Sequence, residues 1–253
     1  MRRVSPGAAD SRYSTAVTFP ATRVSLVART RSLDERTRQL AFETLIEAYW
    51  RPIYKYLRLK WKSSPDEAAD LTQDFFANAL EKEVVGRYDP GRARFRTYLR
   101  LCVDGFVANA RKAERRLKRG GGIVILPLDF SNAETELQAH LPSVPPEAEE
   151  LFDREFSRSL LQGAIDDLRA TCLAADRSVA FTVFERYDLA DELQRPTYAA
   201  LAAELGLTTA MVTNHLAAVR RDFRRHILDR LRRLTATDEE FDLEARRLLG
   251  RSR

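Results

Sequence analysis

The 253-residue chain is 44% hydrophobic and 31% charged, which suits one large domain or two small ones and excludes a disordered tail. Its longest apolar run, Ile123 to Leu128, is too short to span a bilayer. Two distant cysteines and three histidines exclude a disulfide framework and argue against an imidazole metal centre. The net charge of +5 is mild but unevenly spread. Asp66 to Glu83 holds six acids against one lysine, and Arg87 to Arg119 holds eleven bases against three acids. Asp129 to Glu155 is acidic again, and Arg195 to Arg233 is basic, a pattern that suits a polyanion held at two places.

Residues 1–34 lack periodicity and read as a loose extension. They are rich in Arg and Ser but have no apolar core, so a secretory signal is not expected and a transit peptide is only weakly resembled. From Leu40 the apolar residues Phe42, Leu45, Ile46, Tyr49, Ile53, Tyr56 and Leu57 mark a helix stripe, which Pro52 should kink or split. "SSPDE" is a strong helix start, with Ser64 as N-cap, Pro65 in the first turn and Glu67 closing a capping box. The helix it opens should bury Ala68, Leu71, Phe75, Ala79 and Leu80 and show Asp66, Asp70, Gln73 and Asp74 outside.

After the loop "GRYDPGRA", a third helix is expected from Phe95 to Arg119, with Phe95, Leu99, Val103, Phe106 and Ala110 inward. Residues 120–146 read as an acidic, flexible linker with one short extended piece, and helical patterning resumes at Glu147. In "PTYAALAAELGLTTAMVTNHLAAVRRDF", Thr197 caps a short helix, Gly206 takes the break, and a second helix starts at Thr208 or Thr209. That spacing matches a helix-turn-helix, whose second helix would present Thr208, Thr209, Thr213, Asn214 and His215 to base edges and Arg220 and Arg221 to phosphates. A plain helical hairpin is the competing reading. The expected fold class is all-α, with two small helical domains, 35–119 and 147–234, joined by the linker and followed by a tail, 235–253.

Taken together, these segments resemble a bacterial RNA polymerase sigma factor of the extracytoplasmic-function group. "SPDEAADLTQDFF" is similar to the family's segment that binds the polymerase clamp, with Asp66, Asp70, Leu71, Gln73, Asp74, Phe75 and Asn78 at the corresponding places. "YDPGRARFRTYL" and "ARKAERRLKR" are similar to the parts that melt and hold the −10 promoter element. The resemblance therefore assigns Arg92, Arg94, Arg96, Tyr98, Arg100, Arg111, Lys112, Arg115 and Arg116 to that task. It also implies that the helix-turn-helix reads the −35 element and that its domain meets the polymerase flap.

The chain departs from the family where Tyr98 replaces the usual Trp, where "CVDG" replaces "ARN", and where Thr213 and His215 stand at usually basic positions. The physics agrees with the resemblance: unstacked bases need aromatic platforms, and a separated strand needs cations. On the stripe, Phe95 is a core residue, which leaves Tyr98 and the arginines as the functional part. The implied protein is cytoplasmic, is not an enzyme and needs no cofactor. Its partners are core RNA polymerase and promoter DNA, with no membrane, and an anti-sigma factor or regulatory kinase is a further partner class. Thr72, inside the acidic segment, is where a phosphate would add charge. The alternative is a helix-turn-helix regulator that never joins the polymerase; a metal-dependent nuclease on the acidic face lacks convergent ligands.

Overall fold

The computed structural model describes residues 29–30, 32, 34–114, 128–139 and 147–250, and the described residues form helices and no β-strand. The all-α class is as expected from the periodicity. The helices are α1 (Glu35–Lys60), α2 (Pro65–Glu81), α3 (Phe95–Glu114), α4 (Phe130–Ala139), α5 (Ala148–Ala174), α6 (Ser178–Asp188), α7 (Tyr198–Leu205), α8 (Thr209–Leu234) and α9 (Asp238–Leu249).

The chain buries α1 almost all round, because α2, α4 and α5 each pack along it. Its expected stripe is buried, and so are Trp50, Tyr54 and Lys55, whereas Leu40 is exposed. Pro52 neither splits nor ends the helix, which runs unbroken from Glu35 to Lys60. Proline there leaves one carbonyl without its helical donor, and the dense packing on α1 outweighs that loss.

The start of α2 matches its sequence signature. Glu67 N–H donates to Ser64 Oγ at 3.2 Å, Ser64 N–H donates back to Glu67 at 3.3 Å, and Pro65 opens the first turn. Such a cap contributes about 1 kcal/mol. Phe76 is fully buried on this helix although it lies off the expected stripe, and Leu80, expected inside, is exposed.

The linker expectation needs correction. Where one short extended piece was expected, residues 130–139 form a helix laid against α1. Phe130 contacts the rings of Trp50 and Tyr54. Glu134 accepts from Tyr54 Oη at 2.7 Å and from the Arg58 guanidinium at 2.8 and 2.7 Å. The acids of this segment thus serve α1 directly. Residues 120–127 and 140–146 lie outside the described residues, as does most of the N-terminal extension.

The Arg58 guanidinium holds the Glu134 carboxyl at about 2, below its ordinary value near 4.5. A depressed acid contributes stability that is complete above the unfolded value and is lost as pH falls through the folded one. The urea midpoint should therefore drop between about pH 4.5 and 2, and Glu134→Gln should flatten that part of the profile while costing roughly 2 kcal/mol at neutral pH. Circular dichroism during urea titration at several pH values measures both.

Two long helices carry the core across the molecule. The first half of α5 places Leu151, Phe152, Phe156, Leu160 and Ala164 in the cluster built around α1, and Leu168 and Cys172 farther along it pack with Phe181, Phe184 and Val219. In α8 the order reverses: Val212 and Leu216 pack on Val183, Leu201 and Ala202, and Ile227, Leu231 and Leu234 return to the α1 cluster. Arg230 on α8 grips Asp167 on α5 through Nε and Nη2, at 2.5 and 2.9 Å.

Candidate polymerase and nucleic-acid interface

The face of α2 opposite its core shows Asp66, Asp70 and Asp74 to solvent. Among the described residues none of the three has an ion pair, while their neighbour Glu67 pairs with Arg111 at 2.9 Å. Partial burial, and then the charge of Asp70 one turn away, raise the Asp74 carboxyl above its ordinary value. Unpaired like charges along one helix face gain from a cationic surface placed over them. Gln73 and Asn78 are half-buried at the edges of this face. Leu71 and Phe75, expected with the acids at the interface, turn inward to the core and hold the helix in place. Thr72 is fully buried as well, and its hydroxyl donates to the Ala68 carbonyl at 2.7 Å. It is not the exposed helix threonine that a phosphate could reach.

The other side of α2 packs on α3, and a groove of about 490 Å³ opens between them. Tyr98 walls this groove with Phe75, Asn78, Lys82, Arg87 and Asn109. The Tyr98 hydroxyl donates to the Val84 carbonyl at 2.7 Å, and its ring leans on Tyr88 and Phe95 with centroids 5.4 and 6.4 Å away. Burial pushes the phenol up to about 12, so it stays neutral. Phe95 lies in the core, as its place on the stripe implied. An aromatic plane, two cations and two carboxamides on one groove can stack a base, meet its edge and neutralise its phosphate. Lys82, Arg87 and Asn109 were not found from sequence, because only the packing of α2 on α3 brings them to Tyr98.

The arginines at the start of α3 divide sharply. Arg92 has an 87% exposed side chain and pairs with Asp89 at 3.3 Å. Arg96 is 5% exposed, lies over the Phe156 ring, and pairs with Asp153 at 3.2 Å and Glu244 at 2.6 Å. Arg94 reaches Glu244 and Glu149, and Arg100 reaches Asp104 and Glu149. Farther along, Arg111 is tied to Glu67, Ser63 and the Trp61 carbonyl, while Lys112 is exposed. Arg115 and Arg116 lie outside the described residues.

The second basic segment forms the expected pair of helices. Thr197 caps α7, Gly206 ends it at φ 65°, a backbone region that favours glycine, and Thr208 caps α8 by accepting from Met211 N–H at 3.2 Å. The Thr208 and Thr213 hydroxyls are both used locally, the latter donating to the Thr209 carbonyl. Thr209, Asn214 and Arg221 are exposed on the outer face, and His215 is half-exposed. Arg220 is not free for phosphate in this structure, since it makes a two-pronged pair with Asp188 at 2.8 and 2.7 Å.

Among the described residues no group of three or more His, Cys, Asp or Glu side chains converges as metal ligands would, and no helix is long and apolar enough to cross a membrane. Residues 45–117, which run from Leu45 in α1 through the end of α3, match the family model of Sigma-70 region 2. The groove and the acidic face both fall inside this match, which covers under a third of the chain and likens this segment alone to Sigma-70 region 2. No curated protein matches the chain, and no solved structure does.

Proposed function

We propose that this protein is a sigma factor of the extracytoplasmic-function type. It docks on the clamp of core RNA polymerase through Asp66, Asp70 and Asp74, and holds the opened −10 element along Tyr98 and the groove between α2 and α3. It reads the −35 element with α8. Residues 35–119 then form the polymerase and −10 unit, and 147–234 form the −35 unit that meets the flap. The observation that carries this reading is the double use of α2: unpaired acids on one face and an open groove with two cations on the other, within the segment that matches Sigma-70 region 2.

The test is gel filtration of the full chain with core polymerase, followed by run-off transcription on a genomic library. Co-elution and defined start sites are expected. Asp70→Lys combined with Asp74→Lys should weaken the complex at least tenfold, since reversing interfacial charges costs about 2–5 kcal/mol. A chain that never co-elutes with core polymerase, yet binds duplex DNA alone with no preference for a premelted bubble, is a regulator of another kind.

A further inference from the structure

Beside the open groove at Tyr98, the arginine-rich start of α3 is covered in this structure by the chain's own helix α9. Glu240 of α9 accepts from Phe95 N–H at 2.8 Å, so it serves as the N-terminal cap of α3, a helix 145 residues earlier in the chain. One turn on, Glu244 takes Arg96 at 2.6 Å and Arg94 at 3.4 Å. Arg247, a further turn-length along, closes on Asp153 at 2.5 Å, and Asp153 is the second partner of Arg96. Phe241, Ala245, Leu248 and Leu249 hold the inner face of α9 on the main core.

We propose that α9 is an intramolecular strap that occupies the strand-opening edge of α3 and must leave before single-stranded DNA can bind there. The proposal rests on the sigma-type reading above. Its basis is chemical identity: the carboxylates of Glu240 and Glu244 take the same guanidinium and N–H donors that phosphates would take, so strap and DNA exclude each other. The first seven residues of α9, Asp238 to Glu244, carry five acids, two of which, Glu240 and Glu244, meet the arginine-rich start of α3.

The closed contact is also incompletely satisfied. Arg96 Nη1 and Glu244 Oε2 are buried in it without a hydrogen-bond partner. A buried ion pair with unmet donors is weak as a source of stability, because desolvation offsets much of its attraction. Such a contact suits exchange better than permanence. The three residues Thr235 to Thr237 between α8 and α9 are the place where the strap would swing.

The experiment uses the full chain and a fluorescein-labelled bubble duplex with a short unpaired segment, read by anisotropy at constant salt. Glu240→Gln combined with Glu244→Gln should bind the bubble at least tenfold tighter than the unaltered chain. Arg247→Glu keeps both acids but sets a carboxylate against Asp153. It should loosen α9 and give a gain in the same direction, which guards against misfolding of the first variant. Hydrogen exchange should show faster exchange at 238–249 when the bubble is added to the unaltered chain.

Unchanged bubble affinity in both variants, or unchanged exchange in α9, overturns the strap. If at the same time the unaltered chain directs run-off transcription with core polymerase, the sigma-type reading stands without it. If the variants loosen α9 but bind neither bubble nor core polymerase, both proposals fall together.

Discussion

Lys55→Ala is expected to lower the unfolding free energy by about 3–5 kcal/mol, a large loss for a single charge. Lys55 is 2% exposed and lies between Glu136 of α4, at 2.9 Å, and Glu155 of α5, at 3.3 Å. Glu155 is equally buried, and its remaining partners, Arg158 and Arg154, approach from its own helix. Removing the ammonium leaves a carboxylate in the interior facing the space it filled. The cost is the desolvation of a charge left to the partly exposed Arg158 and Arg154 alone, rather than only the attraction lost.

A paired replacement separates these terms. Lys55→Met with Glu155→Gln should recover most of the loss, because no unpaired charge then remains inside. Urea unfolding followed by circular dichroism gives both numbers, and a single-variant loss below about 1 kcal/mol would show that water reaches the site. The consequence reaches the interface, since Lys55 is where α1, α4 and α5 meet and α5 supplies the Asp153 that positions Arg96.

Tyr98→Ala should weaken capture of a premelted promoter by the holoenzyme by about 1–3 kcal/mol, roughly five- to 150-fold, the usual worth of one base stacked on an aromatic ring. Tyr98→Phe keeps the plane and loses only the hydrogen bond to Val84, a change of about 1 kcal/mol in stability with little effect on DNA. Tyr98→Trp enlarges the platform and should bind at least as well. Permanganate footprinting of the opened region reads capture directly. Equal footprints for the alanine and unaltered proteins, at equal thermal stability, would remove Tyr98 from the role.

How far the fold was legible depended on the distance over which each signal acts. The start of α2 was readable because Ser64, Pro65 and Glu67 lie within one helical turn and satisfy one another. The turn between α7 and α8 was readable for the same reason: Thr197, Gly206 and Thr208 each act on backbone groups a few residues away. Pro52 does not split α1, because a local rule met a helix buried by three neighbours and tertiary packing outweighed the lost hydrogen bond. Residues 130–139 misled because their acids look like solvated linker until Tyr54, Lys55 and Arg58 are placed beside them.

The site divides along the same line. The acidic row on α2 follows from helical periodicity, which puts Asp66, Asp70 and Asp74 on one face. The stretch around Tyr98 was singled out by composition, and the stripe assigned Phe95 to the core. Sequence by itself therefore determined the helices with a clear stripe, the caps of α2, α7 and α8, most of their inward faces and the two basic segments, all of which are decided by neighbours within about four residues.

Which cations remain available was decided only by the tertiary structure. Arg58 meets Glu134 across 76 residues and Arg96 meets Glu244 across 148, and no periodicity encodes such pairings. Charge is a long-range property whose partners depend on how whole helices pack. Arg92 and Arg96 are therefore alike in the sequence, yet one stands in solvent and the other is held in the interior by the C-terminal helix.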